Sequence, residues 1–247
     1  MDKVLYLAMS GARENMLAQQ SHANNLANAN TTGFKSDLAQ ARAMQVFGEG
    51  HASRVYAQTE RPATDVTSGT LIDTGRKLDV AVAGDGWLSV IRADGTEGYT
   101  RAGSLQINAA NQLVTGSGLP VMGNGGIPIT LPPFENIDIA TNGIITVRPL
   151  GENAAELLVA DQLKLVNPDP KTLFKGPDGL MTTGGQDPLL PDPNVRVRSG
   201  YIESSNVNAV SELTGIISTS RQFEMQIKMM KTAEENSETA ASILKMS

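Results

Sequence analysis

Cysteine is absent from the 247 residues and histidine occurs only twice. The chain therefore lacks the thiolate and imidazole sets that hold zinc, haem or iron–sulfur clusters, and it has no disulfides and no cysteine nucleophile. Aromatic residues are few, one Trp, four Tyr and five Phe, and they are scattered rather than gathered into a binding platform. Positive charge is in the minority, 20 Lys and Arg against 26 Asp and Glu for a net charge of -6, which excludes a broad electrostatic footprint for nucleic acid. Long apolar runs are missing too. The opening MDKVLYLAMS joins a charged pair to a short apolar stretch, and Arg13, Glu14 and Asn15 follow. Neither membrane insertion nor a cleaved secretory signal is expected from it.

Proline and glycine are nearly absent from the two ends. Eleven of 12 Pro and 19 of 24 Gly lie between Val66 and Gly200. Both residues oppose helices, so the ends are free to form long helices while the middle must be rich in turns. In the first arm Leu5, Met9, Ala12, Met16, Ala23 and Leu26 follow a 4,3 spacing, with Gln19 in the polar slot, which predicts one packing stripe. The helix is expected to stop near Asn28 to Asn30, where Gly33 supplies a left-handed backbone after the last turn. The last arm opens on SSNVNAVSEL, with Ser205, Asn206 or Asn208 as its cap. Its stripe runs Leu213, Ile216, Phe223, Ile227, Met230, Ala241 and Leu244.

The middle alternates apolar and polar residues in LDVAVAGDGWLSVI, SLQINAANQLVT, IDIATNGIITVRP and LLVADQLKLV, a pattern of antiparallel strands and hairpins. Asn142-Gly143 predicts a tight two-residue turn and Asp94-Gly95 another. The resulting fold class is α+β: long terminal helices pairing as a coiled-coil-like layer, and a central, mainly antiparallel β domain. The expected boundaries are 1–35 for the N-terminal helix, 36–65 for an irregular connector, 66–200 for the β domain and 201–247 for the C-terminal helix.

Chemical motifs favour plain readings. Gly84-Asp85-Gly86 and Gly123-Asn124-Gly125-Gly126 open no helix, so they are turns rather than phosphate cradles. Asp169 and Asp178 lack the spacing of a calcium loop and are expected to cap turns. His22 is a packed or surface histidine rather than a base. Asp79 and Asp85 are the best pair for a carboxylate hydrolase, and the pair is not compelling. Arg221, Lys228 and Lys231 stand among Glu224, Glu234 and Glu235 on the last helix, as a solvated face or as charges that match a neighbouring subunit. Eight of 10 Met lie outside the middle, which favours stripes that become ordered against other copies over a self-contained hairpin.

ANNLANANTTGFK at 23–35 closely resembles the N-terminal signature of bacterial flagellar axial proteins. GTLIDTGRKLDVAVAGDGWLSV, YTRAGSLQINAANQLVTGSGLPVMG and GYIESSNVNAVSELTGIISTSRQFEMQIKMMKT extend the resemblance over most of the chain, in order and with similar spacing. Trp87 stands where the family often has Phe. The likeness is nearest to the proximal-rod members of the basal-body rod family. Hook proteins are much longer, and distal-rod proteins carry a stretch before the GTL segment that is not clear here.

The resemblance implies a structural subunit without enzymatic activity, cofactor or metal. It would be exported unfolded by the flagellar type III apparatus without a cleaved signal. In the periplasm it would assemble helically, with other copies and other rod proteins, into the drive shaft that encloses the export channel. It implies no nucleic-acid partner and no membrane insertion. The expected assembly interface comprises Leu5, Met9, Ala12, Met16, Ala23, Asn24, Asn25, Leu26, Asn28, Gly33 and Phe34 from the first arm. Leu213, Ile216, Arg221, Phe223, Ile227, Met230 and Leu244 complete it from the last. A distal-rod subunit, or a secreted β-domain binding module with helical oligomerisation arms, are the alternatives.

Overall fold

The computed structural model describes residues 2–38, 41–45, 55–59, 63–149, 157–184 and 188–246. Two long helices, α1 (Asp2–Ala27) and α2 (Ala209–Met246), flank a succession of short strands, an α+β arrangement. Every strand pairing among the described residues is antiparallel. The chain divides into two compact units. Residues 1–29, 36–65 and 207–247 form one, and residues 30–35 and 66–206 form the other.

In the helical unit, α1 contains no proline and only Gly11 interrupts its propensity. The helix ends at Ala27, where the Asn28 N–H is shared between the carbonyls of Asn24 and Asn25 at 3.1 Å each. α2 opens on Asn208, whose Oδ1 accepts from the Val210 and Ser211 N–H groups at 3.0 and 3.2 Å and so caps the first turn. The helices run antiparallel, Gly11 facing Gln226 and Gly215 facing His22.

The segment expected as an irregular connector contains strands. Asp37–Leu38 pairs with Ala63–Thr64, and Ala41–Gln45 pairs with Val55–Thr59 in the register Ala41↔Thr59 to Gln45↔Val55. The mixed Ala, Gln and charge composition hides this hairpin, because no alternation marks a core face. Residues 39–40, 46–54 and 60–62 of that segment lie outside the described residues.

The β-rich unit holds a five-stranded sheet in the order Leu165–Val166, Trp87–Ile91, Glu97–Thr100, Met181–Thr182, Phe174–Lys175. A three-stranded sheet of Phe134–Ile139, Ile144–Pro149 and Leu158–Gln162 and several two-stranded ribbons complete it. One core cluster joins Val80, Leu88, Val90, Leu105, Leu113, Val121, Ile129, Ile145 and Val147 from these elements. A second gathers Trp87, Tyr99, Val166, Leu173 and Met181. All four alternating segments of the sequence supply strands, because alternation places every second side chain in the core.

The hairpin turns are longer than expected. Ala140 donates to the Ile144 carbonyl and Gly143 to the Ala140 carbonyl, both at 2.9 Å, which leaves the three-residue loop Thr141-Asn142-Gly143. Gly143 alone among these has a positive φ, 80°, so the turn is type I followed by a left-handed glycine rather than a two-residue type I′ turn. The loop at Ala93-Asp94-Gly95 closes in the same way between Arg92 and Thr96. Asp169 caps the short 3-10 helix Pro170–Thr172 through the Lys171 N–H at 2.9 Å, and Asp178 accepts from the Leu180 N–H at 3.2 Å.

The ends of the arms shift between units. Residues 30–35 and 201–206, expected with the helices, group with the β-rich unit. Tyr201–Glu203 is a strand paired with Leu71–Asp73, and the helix begins only at Ala209.

Candidate assembly surface

The α1–α2 contact face is made of small and polar residues. Ala8 and Ala12 are buried, as is Asn25, while Gly11, Asn15, Ala18 and His22 are half-buried on the same stripe. At Gly215 an added Cβ would stand 2.8 Å from the His22 ring, so the backbones approach closely there. His22 Nδ1 lies 2.5 Å from Glu212 Oε2, and Glu212 Oε1 accepts from Asn25 Nδ2 at 3.3 Å. His22 is thereby a packed histidine on a helix interface.

The buried stripe of α1 is displaced by one residue, 100° around the helix, from the stripe the spacing predicts. Ala12 belongs to both. Leu5, Met9, Met16 and Ala23 lie exposed, Met16 at 65% and Met9 at 54%, while Leu26 is half-buried. Hydrophobic ranking selects the large side chains, yet close approach of two helices selects small ones. On α2 the expectation divides: Ile216, Phe223 and Met230 are half-buried on the contact face, whereas Leu213, Ile227 and Arg221 are exposed. The side chain of Leu244 lies outside the described residues. Among the described residues, Arg221, Lys228 and Lys231 form no ion pair within the chain. Val4, Leu5, Met9, Met16, Leu213, Ile217, Met225 and Ile227 are large apolar side chains exposed on these two helices.

The 23–35 motif does two jobs. In the helical unit, Asn25 exchanges two hydrogen bonds with the Asp37 backbone, each 2.9 Å, and so ties the end of α1 to the returning strand. Asn24 is exposed; Asn28 is half-buried, with its Nδ2 on the Asn24 carbonyl at 2.9 Å.

In the β-rich unit, the buried Gly33 takes φ +68° and donates its N–H to the Glu203 carbonyl at 2.8 Å. The ring of Phe34 lies 3.8 Å from Lys175 Nζ, which donates to the Lys35 carbonyl at 2.8 Å. Lys35 is buried and meets Glu203 Oε1 at 2.6 Å; Arg101, also buried, meets Glu203 Oε2 at 2.9 Å. Gly69 N–H adds a third bond to the carboxylate at 2.8 Å. Lys35 and Arg101 spend further donors on the Thr67 and Gly84 carbonyls, at 2.7 and 2.8 Å. A fully buried carboxylate is tolerable only with such a complete set of partners.

Lys35, Arg101 and Glu203 were not among the expected interface residues. Each stands inside a segment that carries the family likeness, and a charge within a run of small, turn-forming residues is the signal that marks them.

Asp79 and Asp85, the two carboxylates the sequence offers as a pair, differ in setting. Asp79 is buried and committed to the Thr74 hydroxyl at 2.7 Å, with Arg76 at 3.6 Å, while Asp85 is exposed. Among the described residues no group of three or more His, Asp or Glu could hold a metal ion, and no helix is long and apolar enough to cross a membrane.

Three family models match the chain. Residues 5–35 match the flagella basal body rod protein model, residues 81–147 the D1 domain of the flagellar hook protein FlgE/F/G, and residues 198–243 the C-terminal model of the flagellar basal body rod FlgEFG protein. Flagellar basal-body rod protein FlgF of Escherichia coli (strain K12) is 40% identical over the whole of both chains, as is FlgF of Salmonella typhimurium. Flagellar basal-body rod protein FlgG of Agrobacterium fabrum is 35% identical over 96% of this chain and 99% of its own. The segments quoted from the sequence fall within or beside the matched stretches, and the likeness runs from end to end. This chain belongs to the flagellar basal-body rod protein family.

Proposed function

We propose that the chain is a structural subunit of the flagellar basal-body rod, placed in its proximal part and built into a helical tube by its two terminal helices. The observation that carries this reading is the full-length 40% identity to proteins named FlgF. The exposed apolar residues of α1 and α2 support it, since they are the kind of surface that other subunits cover. The terminal helices then form a coiled-coil-like layer around the export channel. Other copies and other rod proteins are the partners, the type III apparatus delivers the chain to the periplasm, and the role is mechanical rather than enzymatic.

A deletion strain of the source bacterium tests this. Loss of swimming, with the tagged chain restoring motility and appearing in isolated basal bodies, is the expected result. Normal basal bodies and swimming without the chain would overturn it.

A further inference from the structure

On one flank of the helix pair a groove runs between α1 and α2, lined by Gly11, Glu14, Gln222, Met225 and Met229, and continues past Val4 and Ala233. Its walls are mostly apolar, and Met225 and Met229 are about half exposed. Its one acidic side chain is Glu14. Glu14 Oε2 is shielded from solvent and has no hydrogen-bond partner among the described residues. Lys228 lines the same groove, yet it forms no ion pair with Glu14. A shielded carboxylate oxygen without a donor is an unfinished interaction, and an occupant that completes it must bring a cation between apolar neighbours.

The far side of α1 carries such a ridge. Met9, Arg13 and Met16 fall at i, i+4 and i+7, all exposed, and Arg13 forms no ion pair among the described residues. Arg13 and Glu14 are sequence neighbours that point to different sides of the helix, so one molecule cannot pair them with itself. Resting on the rod reading above, we propose that the groove at Glu14 receives the Met9–Arg13–Met16 ridge of a second copy of this chain, with Arg13 of that copy on the Glu14 carboxylate. Ridge and groove are different surfaces of one molecule. The contact is therefore heterologous, and repeating it builds a ring or an open helix rather than a closed dimer. Shape and charge act together: the methionines adapt to the groove while the single ion pair sets the register.

Charge reversal and crosslinking test the pairing in basal bodies isolated from cells expressing the full chain. Glu14→Arg alone and Arg13→Glu alone each place like charges together and should lower incorporation about tenfold or more. The two single variants co-expressed should restore it, because each groove then finds a complementary ridge on the other variant. Since the chain has no cysteine, Met16→Cys with Met225→Cys, or with Met229→Cys, should give covalent multimers of the chain on mild oxidation. Normal incorporation of both single variants overturns the inference. So does failure of co-expression to restore it, and so does incorporation of the cysteine variants without self-crosslinks, which would leave the groove to another rod subunit. Absence of the unaltered chain from basal bodies is a separate result that overturns the rod reading itself.

Discussion

Gly33 lies so close to Arg101 that a Cβ on it would stand 2.2 Å from the Arg101 carbonyl carbon. Its φ of +68° independently disfavours any side chain. Gly33→Ala is expected to cost about 1–2 kcal/mol from backbone conformation alone, and more from the displaced Arg101 segment. Trp87 is the sole tryptophan and sits buried in this unit. Its fluorescence during denaturant unfolding should therefore show a lower midpoint with an unchanged slope.

Glu203 is the carboxylate that two buried cations share, so its neutral replacement leaves both uncompensated. Glu203→Gln is expected to destabilise the β-rich unit by about 3–5 kcal/mol, read by the same Trp87 transition. Lys35→Met should cost less, because Arg101 keeps its partner. If Glu203→Gln unfolds at the unaltered midpoint, the three charges are bystanders rather than a clasp.

Much of the fold was legible because it repeats a period. Alternation at Ile137, Ile139, Ile145 and Val147 placed the strands, and all four side chains are buried. The turn lengths were not legible, since Asn-Gly serves both a two-residue loop and a type I turn with a left-handed glycine. The face that α1 turns to α2 was not legible, because it is made of Ala8, Gly11 and Ala12, which no hydrophobic ranking selects. The charge cluster was invisible as a cluster: Lys35 and Glu203 are 168 positions apart, and only the folded β-rich unit brings them together.

Exposure on the helices separates assembly from folding. Leu213 and Ile227 are 48% and 43% exposed, so Leu213→Asp or Ile227→Asp should change the stability of the isolated chain by no more than about 0.5 kcal/mol. Both should abolish incorporation into basal bodies, and with it swimming. Phe223→Asp puts a charge on the half-buried face and should lower helix stability by about 1–3 kcal/mol in circular-dichroism melts. Swimming cells carrying Ile227→Asp would remove Ile227 from the assembly surface.

Tyr99 supplies a pH dependence with a definite sign. Burial raises its phenol above the ordinary 10.0, and the charge of Glu97 adds to the effect. The folded value lies above the unfolded one, so the contribution is whole below about pH 10 and is lost as pH rises through the folded value. Stability read through Trp87 should fall as pH rises above about 10, and Tyr99→Phe should flatten that fall.

Gly215 and His22 make a test of the helix contact itself. Gly215→Ala gains about 1 kcal/mol of helix propensity, but the added Cβ would stand 2.8 Å from the His22 ring. The ring cannot swing away freely, because Glu212 holds its Nδ1 at 2.5 Å. The two effects oppose one another, and Gly215→Ala alone should be near neutral or destabilising in thermal melts. In a His22→Ala background the obstruction is gone, and the same substitution should stabilise the helices by about 1 kcal/mol. Additive effects in the four-member cycle would mean that Gly215 is held by backbone packing elsewhere on α1 and not by His22.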